Sequence, residues 1–71
     1  MYRIKDLRED KDLTQAQVGN AVGVSQRTYA YYDSGQRMLP PQILCALAEF
    51  YHTSVDYLLG LTDDPKPYRK K

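Results

Sequence analysis

The sequence has one cysteine, Cys45, so an intramolecular disulfide cannot form, and one thiol does not make a zinc site. Cys45 falls in an apolar helical stretch, where a lone thiol packs as a small buried hydrophobe. The alternative, a redox switch, has no neighbour in sequence that would lower the thiol pKa. A single histidine, His52, and the lack of a glycine-rich phosphate loop leave little for catalysis. The acids Asp6, Glu9, Asp10 and Asp12 alternate with Lys5, Arg8 and Lys11, which is a solvated, salt-bridged face and not a pair of catalytic carboxylates. No apolar run approaches the roughly 18 residues of a membrane span. The start, Met1 to Asp6, lacks the apolar stretch of a signal peptide. The expectation is a cytoplasmic, non-enzymatic protein.

Excess charge is also missing. The net charge is +1, far less basic than many nucleic-acid-binding domains. Its distribution is more informative than its sum. From Leu13 to Ala48 the only acid is Asp33, and Arg27 and Arg37 lie in the same stretch. A surface nearly free of carboxylates, able to face phosphates, is therefore compatible with a near-neutral chain.

What the sequence does contain is a succession of short helical signals. Seventy-one residues, 42% of them hydrophobic, make one domain with a compact, mostly local core. Ile4 and Leu7 give one buried stripe to a first helix within residues 2–11. Thr14-Gln15-Ala16-Gln17 reads as a capping box that opens a second helix, continued by Val18, Ala21 and Val22. Gly23 stops it in the left-handed conformation. Ser25 then caps a third helix over about 26–34, with Tyr29 and Tyr32 on one face and Gly35 at its end. Two short helices joined by a turn of about three residues containing glycine are a helix-turn-helix. Pro40-Pro41 starts a fourth helix over about 41–51, whose Leu44, Leu47, Ala48 and Tyr51 form the clearest apolar stripe. Ser54 caps a short fifth helix from Val55 to Gly60, with Val55, Leu58 and Leu59 inward. Residues 63–71 read as a flexible, proline-containing basic tail that ends Tyr68-Arg69-Lys70-Lys71. It is either a supplement to phosphate binding or a solvated terminus.

Leu13 to Val18, Val22 to Ser25, Tyr32 to Arg37 and Thr53 to Gly60 together resemble the XRE family of bacterial and phage regulators, which includes the lambdoid repressors and Cro. The resemblance spans about residues 3–62. It implies an all-α, five-helix, lambda-repressor-like DNA-binding domain over residues 1–62. Carried over by position, Gln26, Arg27 and Tyr31 reach base edges, while Gln15, Thr28, Gln36 and Arg37 hold phosphates. Arg8 and Asp33 match an ion pair between the first and third helices; an exposed Arg8 on a phosphate is the other option. Tyr29 and Tyr32 fall on core positions, with hydroxyls that should reach the surface or a partner.

The chemistry of these residues agrees with the roles implied. Gln26 and Arg27 stand in the first turn of the third helix, the end that enters a groove. Glutamine pairs bidentately with adenine and arginine with guanine, each worth about 1–3 kcal/mol of discrimination. Tyr31 lies four residues from Arg27 on the same face. Gln15, near a helix N-terminus, adds its side chain to free backbone N–H groups. The sequence departs from the family pattern at Pro40, where a capping Ser is usual, at His52, where Gly or Asn is preferred, and at Tyr31, where shorter polar residues are common.

One short helix reads few base pairs. A homodimer with two such helices about 34–36 Å apart would bind a near-palindromic operator. Phe50, Tyr57 and Leu61 are candidates for its interface, although Phe50 fits a core position equally well. The expectation is a sequence-specific, double-stranded-DNA-binding transcriptional regulator, a repressor by default, with no cofactor, metal or small-molecule ligand. The alternative is an antitoxin or accessory protein-interaction module on the same fold.

Overall fold

The computed structural model describes residues 2–67, and these contain five helices and no strand. They are α1 (Ile4–Asp10), α2 (Gln15–Ala21), α3 (Gln26–Asp33), α4 (Pro41–Phe50) and α5 (Val55–Leu58). None is long and apolar enough to cross a membrane. The architecture is the all-α, lambda-repressor-like one. The basic end of the tail, Tyr68 to Lys71, lies outside the described residues.

Helices this short do not persist alone in water, because nucleation is unfavourable and few bonds follow it. Their ends and a shared core supply the difference. Thr14 Oγ1 accepts from Gln17 N at 3.1 Å while Gln17 Oε1 accepts from Thr14 N at 2.8 Å, a complete capping box. Ser25 and Ser54 cap α3 and α5 through Thr28 N and Tyr57 N. Only α1 and α4 lack a side-chain cap; α4 starts from Pro40 with Pro41 in its first turn.

All five helices end in the same way. In each, the residue after the C-cap has positive φ: Asp12 at 55°, Gly23 at 83°, Gly35 at 81°, His52 at 53° and Gly60 at 77°. The next N–H then bonds back across the last turn, as in Val24 N to Gly19 O at 2.9 Å and Thr53 N to Ala48 O at 2.8 Å. These are Schellman motifs, which satisfy carbonyls that the helix would otherwise leave bare. At Gly23 this motif forms the turn of the helix-turn-helix and sets the angle between α2 and α3. Asp12 adopts the same conformation without glycine's freedom, and its sequence gave no sign of it.

The core consists of Ile4, Val18, Val22, Tyr29, Tyr32, Leu39, Leu47, Ala48, Tyr51 and Leu58. Leu39, in the loop before α4, is buried, and Tyr2 Oη accepts from its N–H at 3.4 Å. Two expectations need correction. Cys45 is exposed, because α4 turns Leu44, Leu47 and Ala48 toward the core and leaves Cys45 on the outer face. Leu59 is half-buried and does not pack on the core, whereas Val55 does pack there beside Leu58, the fully buried anchor of α5. Residues beyond α5 are tied back to the domain. Arg3 Nη2 donates to Thr62 O at 3.2 Å and Asp63 Oδ1 at 2.7 Å, and Thr53 Oγ1 donates to Pro65 O at 2.7 Å.

Gly19 sits where α2 meets α3. A Cβ there would lie 3.1 Å from Val24 O, 3.2 Å from Ser25 O and 3.2 Å from Tyr29 Cβ. Two of these neighbours are backbone and the third belongs to a fully buried residue, so none can swing away. Gly19→Ala gains up to about 1 kcal/mol of helix propensity but overpacks at a cost of about 1–3 kcal/mol. We expect a net loss of about 1 kcal/mol, read as a fall of roughly 4–8 °C in Tm by circular dichroism.

Candidate nucleic-acid interface

The third helix has two faces of opposite character. Tyr29, Tyr32 and Asp33 are buried. Gln26 and Arg27 are exposed in the first turn, and Tyr31 is half-buried one turn on. No hydrogen bond or ion pair to another described residue holds the Gln26 or Arg27 side chain. The helix is thus fixed by one side and open along the other.

The fixing side carries a charge. Arg8 Nε and Nη2 donate to Asp33 Oδ1 and Oδ2, both at 3.1 Å, in a bidentate pair between α1 and α3. Arg8 Nη1 also donates to Leu13 O at 2.9 Å, and Leu13 N donates to Arg8 O at 3.0 Å. One arginine therefore holds the α1–α2 connection and the end of α3 together. The side chains are 14% and 2% exposed, so the pair is shielded from water. Burial pushes the Asp33 carboxyl up, but the hydrogen bonds from Arg8 and Gln15, with the Arg8 charge, hold it below the ordinary aspartate range. The same pairing raises the Arg8 pKa.

Tyr29 and Tyr51 place their hydroxyls beside this pair. The Tyr29 hydroxyl faces the Asp33 carboxylate, as expected of a buried tyrosine that reaches a polar group, and that of Tyr51 faces Tyr29, although neither makes a well-aligned hydrogen bond among the described residues. Burial pushes the Tyr29 phenol well above its usual value, and that of Tyr51 up to about 12. Both stay neutral at physiological pH.

The residues expected at phosphates differ in exposure and in partners. Gln15 is half-buried, and its Nε2 donates to Asp33 Oδ2 at 3.3 Å, which binds the start of α2 to the buried pair. Thr28 Oγ1 accepts from Ser25 Oγ at 3.1 Å. Gln36 and Arg37 are exposed in the loop after α3, and the Arg37 guanidinium lies 4.4 Å from the Tyr31 ring centroid. Sequence reading paired neither Gln15 with Asp33 nor Arg37 with Tyr31. The only signal for the second was the glycine at position 35, which folds the chain back toward α3.

Of the residues expected at an interface, Phe50 is 42% and Leu61 72% exposed. Phe50 is therefore not a core residue; it meets Tyr51 edge-on, with ring centroids 5.0 Å apart. Tyr57 is half-buried, with Arg3 over its ring at 4.6 Å.

The helix-turn-helix family model matches residues 4–58, from the start of α1 to the end of α5. The chain belongs to the helix-turn-helix family. It is 40% identical over 65 residues to the uncharacterized HTH-type transcriptional regulator YobD of Bacillus subtilis, covering 92% of this chain and 58% of that one. It is 35% identical over 58 residues to the cryptic phage CTXphi transcriptional repressor RstR of Vibrio cholerae, covering 82% and 52%. The HTH-type transcriptional regulator AnsR of Bacillus subtilis is 34% identical over 58 residues, covering 82% and 50%. The chain thus spans about half the length of these helix-turn-helix relatives. No solved structure matches significantly.

Asp33 gives the helix-turn-helix a pH signature. Its folded pKa is depressed, so its contribution is full above the unfolded value of about 3.9 and is lost as pH falls through the lower folded value. Stability should decline below about pH 4–5. Asp33→Asn should flatten that decline and cost about 3 kcal/mol at neutral pH, because a shielded Arg8 is left unpaired. Urea denaturation between pH 3 and 7 measures both; an unchanged acid limb in Asp33→Asn would remove the pair from its assigned role.

Proposed function

We propose that this protein is a sequence-specific, double-stranded-DNA-binding transcriptional regulator that inserts α3 into the major groove. The observation that carries the reading is the division of α3. Its buried face is locked by Tyr29, Tyr32 and the Asp33–Arg8 pair, and its first turn presents Gln26 and Arg27 free of other described residues. A rigid helix with unengaged bidentate side chains at its N-terminal end suits recognition of base edges.

In this reading Gln26, Arg27 and Tyr31 meet bases. Gln15, Thr28, Gln36 and Arg37 meet the flanking phosphates, and Gln15 does so while it remains tied to Asp33. The stretch from Leu13 to Ala48 has a single acid, Asp33, and its charge is neutralised by Arg8. The open face therefore offers little repulsion to a polyanion. The relatives are named as transcriptional regulators, and RstR as a repressor, which supports repression as the mode. A small protein that occupies promoter DNA blocks polymerase without further contacts.

The same reading includes a homodimer on a near-palindromic operator. One α3 of eight residues spans too little duplex for high selectivity. Phe50 and Leu61 are exposed apolar groups outside the proposed DNA face, and Tyr57 is half-buried, so these three are assigned to the dimer contact. Leu61→Glu should leave the fold intact, since the side chain is 72% exposed. It should abolish the dimer in sedimentation equilibrium and reduce a two-half-site footprint to one; a persistent dimer would place the contact elsewhere.

Selection of bound sequences from random duplexes tests the base contacts. Arg27→Ala should erase the preference at one base pair and cost about 1–3 kcal/mol on the best site. Uniform weakening with an unchanged consensus would contradict the role given to Arg27.

A further inference from the structure

Two side chains assigned above to separate contacts are joined in the structure. The Arg37 guanidinium stacks on the Tyr31 ring at 4.4 Å from its centroid. The backbone enforces this approach. Tyr31 O accepts from Gln36 N at 2.9 Å, Arg37 N at 3.2 Å and Ser34 Oγ at 3.3 Å. Gly35, with φ of 81°, reverses the chain so that the Gln36 and Arg37 N–H groups reach that carbonyl, while Ser34 Oγ bonds back to it from the end of α3. The carbonyl of Tyr31 thus anchors the loop that brings Arg37 over the ring of the same residue.

Such a contact has two chemical consequences. The Tyr31 ring, half-buried at the edge of the open face, would otherwise be held only by its own torsional preferences. A cation over one face restricts it to a single presentation. A guanidinium over a ring also has five N–H donors, so that some are left for a phosphate oxygen in a fork which a lysine ammonium does not reproduce.

We propose that Arg37 is a positioning residue for Tyr31, so that the base preference set by the ring and the phosphate contact made by the guanidinium edge form one coupled unit. This rests on α3 being the groove helix. Base preference at the Tyr31 position then depends on a residue outside α3 that touches no base. A cation–π contact at an exposed site shifts an equilibrium about two- to five-fold. Arg37 therefore sharpens discrimination at one base pair and contributes to overall affinity separately, through the phosphate.

The test uses the full chain and random duplex selection. Tyr31→Ala first identifies the base pair whose preference depends on the ring. At that pair Arg37→Ala should lower discrimination about two- to five-fold, with the pairs read by Gln26 and Arg27 unaffected. Arg37→Lys should keep the wild-type salt dependence but recover only part of the discrimination. In the free protein, the Arg37 side-chain protons should show an upfield ring-current shift by NMR that disappears in Tyr31→Leu. Arg37 is exposed, so its variants retain the fold, and circular dichroism checks that those of the half-buried Tyr31 do so as well.

Several results would overturn the proposal. Uniform weakening of Arg37→Ala across sequences, with the salt slope reduced by about one, makes Arg37 a plain phosphate contact. Absence of the ring-current shift removes the brace. No change of preference in Tyr31→Ala removes its object. In all three cases the assignment of α3 to the groove survives. If the wild-type chain selects no sequence at all, that assignment fails as well.

Discussion

A buried bidentate contact between Arg8 and Asp33 connects the first helix to the end of the third, and the geometry of the open face depends on it. The guanidinium neutralises the one acid between Leu13 and Ala48 and also holds the Leu13 carbonyl. Removal of one partner from such a pair is costly, whereas replacement of both by apolar groups of similar shape is often neutral. The pair is thus a device for orientation more than for stability. It fixes the direction of α3 relative to α1 and α2, and Gln15 joins it from the start of α2. Any surface read by α3 inherits its rigidity from this cluster.

The rest of the fold solves a problem of scale. Helices of four to ten residues cannot stand alone, and in a chain of this size few residues can be buried. The observed solution is economy at the ends. Each helix closes with the same left-handed turn, and three of five open with a Ser or Thr cap. With the ends satisfied, a small core built on Ile4, Val18, Tyr29, Leu47 and Leu58 suffices to hold the bundle. The two buried tyrosine hydroxyls, neither in a well-aligned hydrogen bond among the described residues, show the limit of that economy. Their polar atoms lie beside the Arg8–Asp33 pair, where a neighbouring charge partly offsets desolvation.

A near-neutral chain can still present a surface suited to a polyanion, because charge sorting and net charge are separate quantities. Acids gather on α1 and near the end of the chain, and Asp63 is occupied by Arg3. Among the described residues no carboxylate forms an ion pair with Arg27 or Arg37, the positive groups of the open face. Phe50 and Leu61 add exposed apolar area to the same small surface.

Local signals determined much of this protein without the structure. Five helices, the caps at Thr14, Ser25 and Ser54 and the stop at Gly23 were legible because each depends on residues a few positions apart. The Arg8–Asp33 pair was legible only through family resemblance, since nothing within either residue's neighbourhood specifies a contact 25 positions away. Tertiary packing alone decided that Gly19 lies against Tyr29 and that Leu39 is buried and Cys45 exposed. It alone brought Gln15 to Asp33, whereas the local turn at Gly35 carries Arg37 over Tyr31. Periodicity and capping residues report which backbone conformation a segment prefers, whereas the distance between two side chains is set by how finished helices dock.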